Sequence, residues 1–232
     1  GMGGEEEFEF SYIWIANSPE GTVSKINTET AEEEARYAVA GGNPSRTSVN
    51  LLGDVAVSSR HPGAITKIAA DIENCIDANN NNMIETSTGP NDVLPLGQDE
   101  CVIWTRDIPS PSYSYGPRAT AWVAGEPDPQ TCEYPDPVLW MGWKDQQNVA
   151  HFEKIDGNDG SIIDEVQYQW GSSYSPYGGA VDKEGNFYAT GLNTMPSVKI
   201  DFDSLDVTNL GNPNGCKYGM TLDIFGNVWA GG

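Results

Sequence analysis

Apolar residues come in short bursts along this chain, most of them four to six residues long and closed by Gly, Asn or Asp. The clearest case is Pro176 to Gly191, PYGGAVDKEGNFYATG. An apolar run ends in Asp182, Lys-Glu-Gly-Asn makes a turn, and a second run rich in aromatic and small residues follows. Gly-Asn between two such runs signals a hairpin, because glycine takes the positive φ of the turn at no steric cost and Asn tolerates it. Neither run alternates cleanly between apolar and polar, which suits strands buried on both faces. Tyr218 to Gly232, YGMTLDIFGNVWAGG, repeats the unit.

Aligning the second run gives five copies: YIWIAN from Tyr12, DVAVSS from Asp54, TAWVAG from Thr120, NFYATG from Asn186 and NVWAGG from Asn227. Their starts lie 42, 66, 66 and 41 residues apart. A further run containing Lys-Ile follows four of them: TVSKIN, AITKIA, AHFEKID and SVKID. A period near 42 residues with about four strands predicts an all-β fold, a β-propeller of four to five blades. Each long interval holds one period plus about 24 residues, placing insertions at about 73–100 and 126–148 of a propeller domain covering 11–232. Thr30 to Tyr37, the one helical-looking piece, is read as a turn plus an outer strand because it follows a Lys-Ile strand. The first blade lacks a first strand and the last lacks its third and fourth. Both ends therefore supply the same strand, and the expectation is a fragment of a longer propeller or an unusual closure. Residues 1–10 read as a linker, with Gly1-Met2 as an expression scar.

Charge narrows the partners. The chain carries 34 acidic and 12 basic residues, a net charge of −22. This argues against nucleic acid, whose phosphates need basic clusters. No apolar run approaches 18 residues, so no membrane span is expected. The four cysteines allow three pairings. Cys75 and Cys101 bracket the first insertion, and the favoured pairing is Cys75–Cys101 with Cys132–Cys216. A bridge at the base of the first excursion would contribute on the order of 3 kcal/mol by loop closure. Disulfides predict an exported protein: extracellular, periplasmic or at the cell surface.

The first insertion holds the most specific local pattern, DANNNNMIE from Asp77 to Glu85. Oxygen-bearing side chains at positions 1, 3 and 5, a carbonyl at 7 and an acid at 9 follow a calcium loop. The predicted ligands are Asp77, Asn79, Asn81, the Met83 carbonyl and Glu85. Asn82 replaces the usual glycine, which Asn's tolerance of the left-handed region allows. Position 12 is Thr88, so Asp92 or Asp99 is the expected substitute. Asn in place of Asp lowers the ligand charge, so the expected Kd is ~10⁻⁴–10⁻³ M. Asp156 to Gly160, DGNDG, resembles such a loop but occupies a hairpin-turn position and is read as a turn.

Aromatic clusters make a second candidate. Tyr113, Tyr115, Trp140, Trp143 and Trp170 stand beside acids and amides and could stack on sugar rings, with core packing as the alternative fate. His61 falls in a turn and His151 within a strand. The sequence contains no nucleophile elbow, phosphate loop or dinucleotide fingerprint.

The unit P-x-G-x-x-x-D-x-x-G-N-x-[YW], at Pro176 to Tyr188 and again from Lys217 to Trp229 with Lys in place of Pro, resembles the repeat of virginiamycin B lyase-like and NHL-type propellers. The opening YIWIANSPEGTVSKINTET is similar too, and the excursion CIDANNNNMIETSTGPNDVLPLGQDEC looks like calcium-loop excursions in secreted bacterial propellers. The resemblance implies a propeller; the repeat serves lyases, binding proteins and scaffolds alike. The lyase type implies a catalytic histidine with nearby glutamates and magnesium, but neither His61 nor His151 sits in an equivalent motif. The leading expectation is a non-catalytic exported binding or surface module, stabilised by calcium, with a protein or carbohydrate ligand. The rivals are a metal-dependent lyase and a structural subunit whose incomplete blade is filled by a neighbouring chain.

Overall fold

The computed structural model describes residues 11–125, 130, 136–192, 195–212 and 218–231. The proposed linker, Cys132 and Cys216 lie outside them. Seventeen strands among the described residues form five antiparallel sheets that follow one another along the chain. The first sheet holds β1 (Tyr12–Asn17), β2 (Thr22–Asn27) and β3 (Glu33–Ala38). The second holds β4 (Pro44–Val49), β5 (Val55–Arg60), β6 (Gly63–Ile68) and β7 (Val102–Ile108). The third holds β8 (Ala119–Val123), β9 (Val138–Lys144), β10 (Val149–Asp156) and β11 (Ile162–Gln169). The fourth holds β12 (Gly178–Val181), β13 (Phe187–Thr190), β14 (Ser197–Ile200) and β15 (Val207–Gly211). The last holds β16 (Gly219–Leu222) and β17 (Val228–Gly231). Strands β4, β8, β12 and β16 pack side by side and form the inner ring.

One strand differs from the sequence reading. TAWVAG is β8, the inner strand of the third sheet, and pairs with β9 from Ala119↔Gly142 to Val123↔Val138. The second strand of that blade is VLWMGWK, which the 66-residue spacing had assigned to an insertion. The excursion there is therefore 124–137, not 126–148. Strands β8 and β9 are both buried on two faces, so both carry an apolar signature and the repeat pattern fits either.

The repeated turn is built by its first residue. Asp182 Oδ1 accepts the N–H groups of Glu184 (3.1 Å) and Asn186 (2.9 Å), while Gly185 takes φ +85°. Asp223 accepts from Phe225 and Asn227 in the same way, both at 2.9 Å. In the second sheet Asn50 takes this role and accepts from Leu52 and Asp54.

Three apolar clusters fill the spaces between successive sheets. Trp14, Val23, Val55 and Ile68 belong to the first, Ile65, Trp104, Leu139 and Ile155 to the second, and Trp140, Phe152, Phe187 and Ile200 to the third. Indole groups tie neighbours together: Trp14 donates to the Gly53 carbonyl at 3.2 Å and Trp140 to that of Gly185 at 3.0 Å. The lysine of the Lys-Ile repeat has a related use. Lys25 donates to the Ala70 carbonyl and Lys154 to that of Phe202, each just past the third strand of the next sheet.

Candidate functional site

The excursion between β6 and β7 is closed by a Cys75–Cys101 disulfide. Glu100, buried beside the bridge, holds the loop from both ends. Its carboxylate accepts the N–H groups of Ala78 (2.9 Å), Asn79 (3.4 Å) and Glu85 (2.8 Å). Within the loop, Asp77 accepts the N–H groups of Asn81 and Asn82. Asn79 and Asn81 each accept the N–H two residues on, and each turns its amino group onto Glu85, at 2.8 and 2.7 Å. These hydrogen bonds, Asn81's first and then Asn79's, hold the Glu85 carboxyl below its ordinary value. Asn82 takes φ +65°, the left-handed conformation expected of the glycine position.

The loop's side chains carry the oxygen atoms a hard cation takes, while no group of three or more His, Cys, Asp or Glu among the described residues is placed to hold a metal. Two of the predicted side chains, Asn79 and Asn81, converge on the carboxylate of a third, Glu85, at an exposed loop, and the fourth, Asp77, braces the turn between them. The two amide groups that meet Glu85 as donors each carry an oxygen acceptor on the same carbon. Asp92 and Asp99 do not complete the set. Asp92 accepts from Thr88, and Asp99 accepts from Thr86, Ser87 and the Cys101 N–H. Glu100 is the acidic residue that reaches the loop, and it does so through backbone N–H groups.

The aromatic candidates divide. Trp140, Trp143 and Trp170 are buried and offer no surface platform. Trp140 stacks on Phe187 at 5.6 Å, Trp143 stacks on His151 at 4.1 Å and donates to Glu153, and Trp170 donates to the Tyr174 carbonyl. Their polar ends find partners inside, which is what a buried indole requires. Tyr113 is exposed, and Tyr115 is half-buried with the Lys144 ammonium 4.5 Å from its ring centre.

Those two tyrosines belong to a larger group that the sequence did not disclose. The Arg46 guanidinium lies 4.9 Å from the Tyr177 ring centre and 4.8 Å from that of Tyr218. Arg118 lies 5.1 Å from Tyr177 and 5.0 Å from Tyr113, and Arg60 lies 4.8 Å from Tyr113 while donating to its hydroxyl at 2.6 Å. Hydrogen bonds with Tyr177 and Arg46 hold the Tyr218 phenol below its ordinary value, whereas burial pushes Tyr177 up. Arg118, Tyr177 and Tyr218 each stand just before an inner strand, after Pro117, Pro176 and Lys217. That shared position was the available signal.

No family model matches the chain, and no curated protein matches it. Solved structures do. A protein of unknown function from Bacteroides caccae is similar at TM-score 0.56 and 10% identity, covering 94% of this chain and 63% of its own. Virginiamycin B lyase from Staphylococcus aureus is similar at TM-score 0.58 and 14% identity, over 94% of this chain and 59% of that one. A streptogramin B lyase is similar at TM-score 0.58 and 13% identity, over 96% and 73%. The fold is a β-propeller. The chain spans less than two thirds of the first two of these structures, and identities this low speak for architecture alone.

In a propeller the inner strands surround the central axis, so the arginine–tyrosine group stands at one end of it. The calcium-loop candidate lies on the connection from the third to the fourth strand of its blade. His151 sits on the third strand of the next blade, bonded to Glu165 at 2.7 Å and Asp145 at 3.3 Å. This His–carboxylate group is thus two strands out from the axis. No helix among the described residues is long and apolar enough to cross a membrane.

Proposed function

We propose that this propeller is a non-catalytic binding module, used outside the reducing cytoplasm and stabilised by calcium in its first excursion. The convergence of Asn79 and Asn81 on Glu85, with Asp77 bracing the same turn, carries the reading. Asp77, Asn79, Asn81 and Glu85 would hold the ion by side-chain oxygens and Met83 by its carbonyl. The ion would supply a fixed positive charge that orders the exposed loop. The disulfide at the loop base is compatible with an extracellular, periplasmic or cell-surface setting.

Thermal unfolding with calcium and with chelator tests this. Calcium at 100-fold over its Kd should stabilise the fold by about 2.7 kcal/mol, and the midpoint should rise accordingly. Glu85→Gln should abolish the rise while keeping the chelated midpoint close to that of the parent. An equal midpoint with chelator and with about 0.1 M calcium, 100-fold over the weaker end of the expected Kd range, would remove calcium from the reading.

A further inference from the structure

Among the described residues, most cations have a carboxylate within 4.0 Å; the exceptions are Arg46, Arg60, Arg118 and Lys144. In a chain of net charge −22, cations without a carboxylate in ion-pair contact are a selective feature. All four lie against tyrosines of the same group, three of them at Tyr113, Tyr177 and Tyr218 near the axis. Arg118 is 1% exposed, and its Nε–H is buried with no acceptor, although its terminal nitrogens bond Gly116, Ser175 and Tyr113. A buried, incompletely partnered guanidinium is costly and holds positive potential at this spot.

The group borders a cavity of about 170 Å³ lined by Arg46, Arg118, Thr120 and Tyr177, with Gly178 and Gly219 at its wall. The space has a structural origin. The first paired residues of β8, β12 and β16 are Ala119, Gly178 and Gly219. In β4 the register shifts between Pro44 and Arg46, and Arg46 pairs with Ser58 as Gly178 pairs with Thr190. One long cation therefore reaches into room left by three small residues. Near two tyrosine rings, the guanidinium spends one hydrogen bond on the Tyr218 hydroxyl, and its remaining N–H groups are left for a planar anion.

We propose that this axial cavity binds a monoanionic carboxylate carried on a ring, either a uronic acid or an aromatic acid. Arg46 clamps the carboxylate and Tyr218, 53% exposed, covers the ring. The acidic remainder of the molecule disfavours polyanions, and the cavity accepts one small group. The assignment rests on the binding-module reading but not on the calcium loop.

Titration calorimetry on the calcium-loaded chain tests it, with galacturonate, benzoate, neutral galactose and inorganic phosphate as probes. Uronate or benzoate should bind, the better of the two naming the ring. Arg46→Gln should weaken that binding at least tenfold with an unchanged unfolding midpoint, and 0.5 M salt should weaken it in the parent. Tyr218→Ala, at an exposed position, is the second variant should Arg46→Gln fail to fold, and it too should weaken binding. Silence with both carboxylates at 10 mM, galactose or phosphate binding as well as they do, or parental affinity in the variant would overturn the assignment. Because the calcium midpoint shift is read on the same protein, a failed ligand and a failed calcium site are told apart.

Discussion

Asp182 and Asp223 each satisfy two backbone N–H groups and an Asn side chain, and so fix the turn on which the repeat depends. Replacing Asp182 with Ala leaves the half-buried turn donors without their acceptor and should cost about 1–3 kcal/mol. Chemical denaturation of Asp182→Ala against the parent measures it. Asp223 also accepts from the Trp229 indole, and its hydrogen bonds, first from Asn227 and then from Trp229, hold its carboxyl down to about 2. Its folded value is depressed from 3.8, so its contribution is present above that value and lost as pH falls toward about 2. The unfolding midpoint should drop across this window, and Asp223→Asn should flatten the drop. At this scale the sequence showed the glycine and asparagine of the turn, because their φ preference is intrinsic. The aspartate's role depends on where its oxygens point, and in the second blade Asn50 and Asp54 exchange the two identities.

The first excursion shows what an element adds to its residues. Cys75–Cys101, the D-x-N-x-N-x-M-x-E spacing and the left-handed Asn82 were legible, since each is a local pattern with a local cause. Glu100 was not, because it acts on Ala78, Asn79 and Glu85 from 15 or more residues away. Its carboxylate accepts three N–H groups from a buried position, so Glu100→Ala should destabilise by about 3 kcal/mol or more. Hydrogen exchange should localise the loss: amides of 77–85 should speed up well before those of β5 and β6. Uniform acceleration would mean that the excursion is part of the global fold and not a separately clamped element. The strand β9 was misread for the opposite reason. Its Trp140 and Trp143 look like a ligand surface in sequence, yet both faces of β9 meet other blades.

Across the whole molecule, the period of 42 residues carried the architecture, and the phase error in the third blade did not disturb it. Blade identity depends on many weak copies, whereas strand identity within a blade depends on one. The same phase leaves two sheets with open edges. Among the described residues β1 pairs only with β2, and β17 only with β16. β1 also presents Ile13 and Ile15 as exposed apolar side chains. An edge with free N–H and C=O groups and apolar side chains is a template for another strand. That strand can come from further sequence of the same protein or from a second chain. For the 232-residue chain by itself, the strand-sharing reading predicts concentration-dependent association. Light scattering across a hundredfold range of concentration should show mass rising above 25.1 kDa. Ile15→Lys should hold the chain at monomer mass, since a charge on the edge strand opposes pairing while leaving β1–β2 intact. A constant monomer mass for the parent would sink strand sharing between chains. It would leave the binding-module reading untouched, because that reading rests on the axial arginines and the calcium loop and not on the free edge of β1.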